Sequence, residues 1–359
     1  MTRSTTFRRR ALIVTAAAAL ALTACSAPVE PEQPPAVTVT PTAEETRTAA
    51  PEPVVPEVPI TWPLTGVEVD EVKERPSLAV KVENTSAARP QAGLDKADVV
   101  WETVVEFSVP RFIAVFHSKS PDKIGPIRSV RPMDAAIIAP HGGILAASGG
   151  QGGIRTMIRE AGSQILTNDA GHGGFYRASN RAAPHNVYSS AKDLWSQAKK
   201  DRVSPPAAQF AFAVDAATAT AAASGEKAKS ISLRMGQGRP AWSWDGDSDT
   251  WLRSEGSADA VTDEGDRLSA VNVVVLEVKA YDSGFNAQGG AMVPNLRLEG
   301  EEGKALVLQG GKSIEATWTK GKVDEPITLV DADGEPVLLA PGNTWVEMMP
   351  TNEGSYELE

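Results

Sequence analysis

Apolar residues along this chain fall into three regimes. Ala11 to Leu22 is one continuous apolar run. It is too short to span a bilayer, which needs about 20 such residues. From residue 26 to about 62 the pattern dissolves into Pro, Thr, Glu and Ala, as in Pro31-Glu-Gln-Pro-Pro35 and Pro51-Glu-Pro-Val-Val-Pro56. That texture reads as a semi-extended, disordered tether. From Pro63 onward periodicity returns. Ser77–Glu83, Ala97–Phe107 and Arg111–Ser118 read as strands, with Ser108-Val109-Pro110 as the corner between the last two. Met133–Ile138 and Ile154–Glu160 read as helices, with Ile144–Ala147 as a short buried strand between them and residues 163–188 as loop. Ser189–Lys200 reads as a helix capped by Ser190, with Leu194, Trp195 and Ala198 as its apolar stripe.

Past Pro205-Pro206 the rhythm shortens. Ser230–Met235, Pro240–Trp244, Thr250–Ser254, Val271–Val278, Ala305–Gln309, Ile314–Thr319, Ile327–Val330, Val337–Leu339 and Trp345–Met349 read as strands. Turn signals such as Asp245-Gly246 and Gly310-Gly311 separate many of them. The expected fold class is α+β. A mixed α/β domain over 63–205 precedes a mostly antiparallel β domain over 206–359, as a sandwich or partly open barrel.

The first apolar run gains meaning from its flanks. Arg3 and Arg8-Arg9-Arg10 precede it, and Leu22-Thr23-Ala24-Cys25 ends it. A positive segment, a short apolar core and a small-residue cut site make an export signal over 1–24. The cysteine at the cut resembles the lipobox of bacterial lipoproteins. It implies a mature chain starting at Cys25, lipidated on its sulfur and amine. Such a chain would be anchored to the cell membrane on the extracytoplasmic face, with 25–62 as tether. Cys25 is the only cysteine, so an exported fold must hold without disulfides, and thiol catalysis and Cys-ligated zinc are excluded.

Charge is unevenly spread. The formal net charge is −11, yet residues 85–202 carry 15 basic and 10 acidic side chains. A basic segment in an acidic chain marks either an anion-binding surface or an interface with the acidic half. Export and overall acidity argue against nucleic acid. Within the basic segment, Gly125-Pro-Ile-Arg-Ser-Val-Arg-Pro132 holds Arg128 and Arg131 between prolines. Guanidinium forks match carboxylates and phosphates with paired hydrogen bonds. With Arg89 and Arg111 they are candidates for an anion pocket, although arginines in irregular loops also tie down backbone carbonyls. A two-residue turn at Ser108-Val109 would pair Glu106 with Arg111 and Val100 with His117. One ribbon face would then show Glu102, Glu106, Arg111 and His117, either as chemistry or as a cross-strand ion pair.

Other chemistries find less support. Glu102 and Glu106 lie about 13 Å apart along a strand. Retaining glycosidases need about 5–5.5 Å between their carboxylates and inverting ones about 6.5–9.5 Å. Glu102 or Glu106 could instead act as acid or base with His185, or with a distant carboxylate such as Asp134 or Asp169. His117, His141, His172 and His185 include no i, i+4 pair, so no metal site is expected. Gly149-Gly-Gln-Gly-Gly153 does not match a dinucleotide fingerprint, and no cofactor is expected. Ser148 lacks the Gly-x-Ser-x-Gly elbow of a serine hydrolase.

Several stretches together resemble the YerB-like lipoproteins, a family with a two-part domain of unknown function. They are Pro63-Leu-Thr-Gly66, Ala88-Arg-Pro-Gln-Ala-Gly-Leu94, Glu102 to Glu106 with Arg111-Phe112, Ile124 to Pro132, His185-Asn-Val-Tyr188, Ala316-Thr-Trp318 and Pro341-Gly-Asn-Thr-Trp345. The resemblance implies an α/β part followed by a β part, and supplies no reaction. The leading expectation is a lipid-anchored protein that binds an anionic envelope ligand, a peptidoglycan or phosphorylated glycan fragment. Arg89, Arg111, Arg128, Arg131 and Asn186 would bind it, with Glu102, Glu106 and His185 orienting it. One alternative is a wall hydrolase or transferase using Glu102, Glu106 and His185. The other is a scaffold that docks an envelope protein, with Trp242, Trp244, Trp251, Trp318 and Trp345 as contacts or as core.

Overall fold

A computed structural model describes residues 59–359, and Glu57–Glu359 forms one compact unit. Cys25, the export signal and most of the tether lie outside the described residues. In the first half, β1 (Leu78–Glu83), β2 (Val99–Val104) and β3 (Pro110–Phe116) are followed by α1 (Met133–Ile138), β4 (Ile144–Ala147), α2 (Gly152–Glu160), β5 (Gln164–Thr167) and α3 (Ala191–Trp195). In the second half come β6 (Ser230–Met235), β7 (Pro240–Asp245), β8 (Thr250–Glu255), β9 (Asn272–Val278), β10 (Ala280–Asn286) and β11 (Met292–Leu296). After these follow β12 (Glu301–Gln309), β13 (Lys312–Lys320), β14 (Thr328–Val330), β15 (Thr344–Pro350) and β16 (Gly354–Leu358).

The two halves share one sheet, in the order β14-β13-β12-β9-β15-β2-β3-β1-β4-β5. The late strand β15 runs parallel to both neighbours, pairing Thr344 with Val99 of β2 and with Asn272 of β9. The chain therefore splits by sequence into an α/β part and a β part, but one apolar core runs from Leu64 to Met349. Every residue of β1, β2, β3 and β15 is buried. Runs such as Val99-Val-Trp-Glu-Thr-Val104 suit this position, because β-branched and aromatic side chains fill both faces of a covered sheet. Each buried Val, Ile, Leu or Phe contributes roughly 1.5–3 kcal/mol.

A second sheet, β8-β7-β6-β16 with the short strand Ala258–Asp259 at its edge, covers one face of the large one. In β6, β7 and β8 the buried positions recur at every second residue or nearly so, as in one-sided strands, while the edge strand β16 has none. The architecture is thus open and sandwich-like, with no closed barrel among the described residues. Trp242, Trp251, Trp318 and Trp345 are all at most 1% exposed, so these four are core and not docking contacts. Trp244 is half-buried against Trp251.

Several boundaries differ from the sequence reading. Ser190 caps α3 by accepting from the Asp193 amide at 3.0 Å, as expected, but the helix stops at Trp195. Residues 163–188 contain β5 and a two-stranded ribbon, Tyr176–Arg177 with Val187–Tyr188. Val337–Leu339 forms no strand. The hairpin β10–β11 has no counterpart in the expected strands.

Candidate functional site

Parallel strands β1, β4 and β5 end on one edge of the large sheet. In open α/β sheets, ligands bind in the crevice outside such carboxyl ends. The 125–132 segment crosses this edge and is pinned there by its backbone. The Arg128 amide donates to Lys81 O at 2.8 Å, the Ser148 amide donates to Arg128 O at 3.0 Å, and the Val130 amide donates to Gly149 O at 3.0 Å. Prolines at 126 and 132 bound the segment and leave its few amides to these partners.

Glu83, the last residue of β1, is the hub of the edge. Its carboxylate accepts from Thr85 Oγ1 at 2.9 Å and lies 2.9 Å from His185 Nδ1 and 3.5 Å from Arg128 Nε. Glu83 is buried, whereas the side chains of Arg128 and His185 are 22% and 28% exposed. Beyond Glu83, and among the described residues, Arg128 has only a long bond, 3.4 Å, to Pro184 O. Its guanidinium keeps donors to spare. Asn186 is buried and accepts from Arg177 Nη1 at 2.7 Å while donating to Arg181 O at 3.2 Å, so it shapes the 177–186 loop beside His185.

Arg111 and Arg131 are differently placed. Both are held by Glu106, Arg131 through a two-bonded fork and Arg111 at 3.7 Å. Arg111 also donates to Ser129 O at 3.0 Å, and Arg131 to Val130 O at 2.7 Å. Burial pushes Arg111 down to about 9, helped by the nearby charges of Arg131 and Arg128 and opposed by Glu106. Burial alone would raise Glu106, but the bond and charge of Arg131 and the charge of Arg111 hold it below the ordinary range. Beneath them Lys81, fully buried, donates to Asp134 at 2.8 Å, and its desolvation lowers it to about 8 against the pull of that carboxylate. This group orders the edge, while Arg128 and His185 face outward from it.

Glu102 is elsewhere. The expected register of the hairpin is corrected here, since Thr103 and not Glu106 lies opposite Arg111. β2 ends at Val104, and Glu106–Ser108 form a tight turn with Phe107 and Ser108 at φ of 61° and 55°. The register differs from the expected one by an odd number of residues, so Glu102 lies on the opposite sheet face from Arg111. Glu102 faces the second sheet. There Arg253 Nη2 donates to Glu102 and Glu255 at 2.7 Å each, and Nη1 donates to Glu347 at 2.8 Å. Asn84 Nδ2 donates to Glu102 at 2.8 Å and to Glu255 at 2.9 Å, and Trp242 Nε1 donates to Glu347 at 2.9 Å. Arg253 also lies 4.8–5.3 Å from the rings of Trp345, Phe112 and Trp242. Burial raises Glu102 well above the ordinary range. Arg253 opposes the shift, while Glu347 and Glu255 reinforce it. Arg89 belongs to this second cluster, 3.0 Å from Glu255.

Thus Arg111, Arg128, Arg131, Glu106, His185 and Asn186 share the carboxyl edge, and Arg89 and Glu102 do not. Asp134 and Asp169, the distant carboxylates considered for Glu102 and Glu106, are paired with Lys81 and Arg155 instead. The glycine run serves close packing, because a Cβ at Gly149 would strike the Asp169 carboxylate and one at Gly153 the Phe285 ring. His117 sits 3.1 Å from Lys73 O and is lowered to about 4 by burial, and His141 is buried and lowered to about 3. Among the described residues no three His, Cys, Asp or Glu converge as a metal would require. No helix among them is long and apolar enough to cross a membrane. Sequence reasoning missed Glu83, Asn84, Arg253, Glu255 and Glu347. The signal for two of them was present, since Glu83 ends an otherwise apolar strand and Arg253 shares the buried face of β8 with Trp251.

Residues 64–204 match the N-terminal domain, and residues 231–346 the C-terminal domain, of a protein family of unknown function, DUF3048. A protein of Bacillus subtilis (strain 168) that carries the name lipoprotein YerB is 29% identical over 293 residues, 80% of this chain and 86% of its own. The crystal structure of the YerB protein from Bacillus subtilis superposes with a TM-score of 0.71 at 26% identity, covering 83% of this chain and 99% of that one.

Proposed function

We propose that this chain, which belongs to the DUF3048 family, is a lipid-anchored protein of the extracytoplasmic membrane face that takes an anionic envelope ligand on its arginine edge. The name of its Bacillus relative supports the lipoprotein assignment, and the run ending at Cys25 supports the anchor. The ligand is a phosphorylated glycan or a peptidoglycan fragment with free stem carboxylates. The observation that carries this reading is Arg128, a part-exposed guanidinium with unspent donors at the carboxyl ends of three parallel strands. Arg177, exposed beside it through Asn186, and His185 add further donors. Arg111 and Arg131 position the 125–132 segment and contribute field rather than contact. Arg89 and Glu102 drop out of the ligand set, because they serve the Arg253 cluster. The hydrolytic alternative loses its acid, since Glu102 is sealed from solvent and Glu106 is gripped by Arg131.

The test is equilibrium binding of the intact protein to purified phosphate-bearing wall glycan and, separately, to peptidoglycan fragments at low salt. Binding that weakens as salt rises and drops at least about tenfold in Arg128→Gln is expected. Binding unchanged by Arg128→Gln, or no binding to either polymer, would overturn the reading.

A further inference from the structure

Just past the end of β1, where Asn84 follows Glu83 and the lining turns to the opposite side of the strand from Arg128, lies a pocket of about 220 Å³. We propose that it binds a free aliphatic α-amino acid. Asn84, Arg89, Gln91, Arg253, Glu255 and Asp259 supply its polar wall, and the rest of the lining is apolar. This inference goes beyond the proposed function and does not depend on it.

The chemistry of the wall selects the ligand. Glu255 is held below the ordinary carboxylate range by Arg253, Arg89 and a bond from Asn84, against the opposing effect of burial, so it is an anion. Arg89 is part-exposed at the mouth, 3.0 Å from Glu255. Arg253 is fully buried behind Glu255, so it backs the wall and Arg89 is the guanidinium a guest can reach. A pocket that holds both signs of charge repels a lone anion at Glu255 and a lone cation at Arg89. A zwitterion satisfies both, with its carboxylate toward Arg89 and its ammonium toward Glu255. Most ligand pockets are apolar with a few placed polar groups, and here the apolar wall would take a hydrocarbon side chain. At about 220 Å³ the pocket has room for a molecule the size of valine or leucine.

Isothermal titration of the intact protein with L-valine, D-valine, valinamide and N-acetylvaline tests the idea. Saturable heat with either valine enantiomer is expected. Valinamide lacks the carboxylate and N-acetylvaline the ammonium, and each should bind at least about tenfold more weakly. Ala260→Trp, at a residue lining the pocket outside the ion cluster, should abolish the valine signal. If that variant fails to fold, Arg89→Gln replaces it and should weaken valine by about tenfold or more. No heat with either enantiomer up to about 10 mM, equal binding of the single-charge analogues, or undiminished binding in a folded Ala260→Trp would each overturn the proposal.

Discussion

Two guanidinium groups flank the end of β1 and behave in opposite ways. Arg253 has no exposure, holds three carboxylates and is boxed by three aromatic rings. Arg128 is part-exposed, with one carboxylate at 3.5 Å and one long bond to a carbonyl. Charges taken out of water are strongly coupled to their neighbours, and removing one strands the rest. A charge left at the rim is weakly coupled and free to serve a guest. Arginine content alone therefore points to neither binding nor architecture. The unspent donors and the access to water decide which role a given arginine plays.

The contrast can be broken most forcefully at Arg253. Arg253→Met should destabilise the fold by about 3–5 kcal/mol, read from urea unfolding at neutral pH, because three buried carboxylates lose their counterion. A loss no larger than that of a surface substitution would show that the cluster is not coupled as its geometry implies. Glu106→Gln comes next at about 1–3 kcal/mol, since it leaves the Arg131 and Arg111 donors short of charge.

Acidity separates the two regions further. Glu106 lies below its ordinary value of 4.5. The stability it contributes is present above that value and disappears as pH falls through the folded value. Glu102 lies well above 4.5. Its contribution is present below 4.5 and disappears as pH rises through the folded value. Glu106→Gln should flatten the acid limb of a stability–pH curve, and Glu102→Gln should flatten the decline on the rising side. At low pH, Glu102→Gln itself should cost less than about 1 kcal/mol, because an amide replaces a carboxyl that is already neutral. The smallest effect belongs to Arg128→Gln, which should leave unfolding within about 0.5 kcal/mol of the parent.

Legibility in the sequence followed locality. Ser230–Met235, and Thr250–Glu255 to within one residue of the expected Thr250–Ser254, were readable because alternation and Gly-containing turns are encoded within a few residues. The hairpin β10–β11 was not, since Asp282-Ser-Gly-Phe-Asn286 carries neither alternation nor a continuous apolar run. The β2–β3 register failed because its turn places Phe107 and Ser108 at positive φ, where local sequence gives no warning. The basic bias of the segment that carries Arg111, Arg128, Arg131 and His185 was legible, but their meeting on one edge was not. Their division between the Glu106 group and the Glu83 hub depends on partners tens of residues away, and no spacing rule contains it. The Arg253 cluster draws on residues from 84 to 347, and short-range patterns cannot assemble such a set.

Strand β15 lies between β2 and β9, although it comes almost last in the chain. A ribosome delivers this protein N-terminus first, so the backbone edge of Val99–Val104 waits without its parallel neighbour until Thr344 emerges. An open strand edge invites mispairing with other chains during that interval. Shortening the protein by its final twenty residues would thus remove the seam between two early-made pieces, leaving both with raw borders rather than trimming a tail.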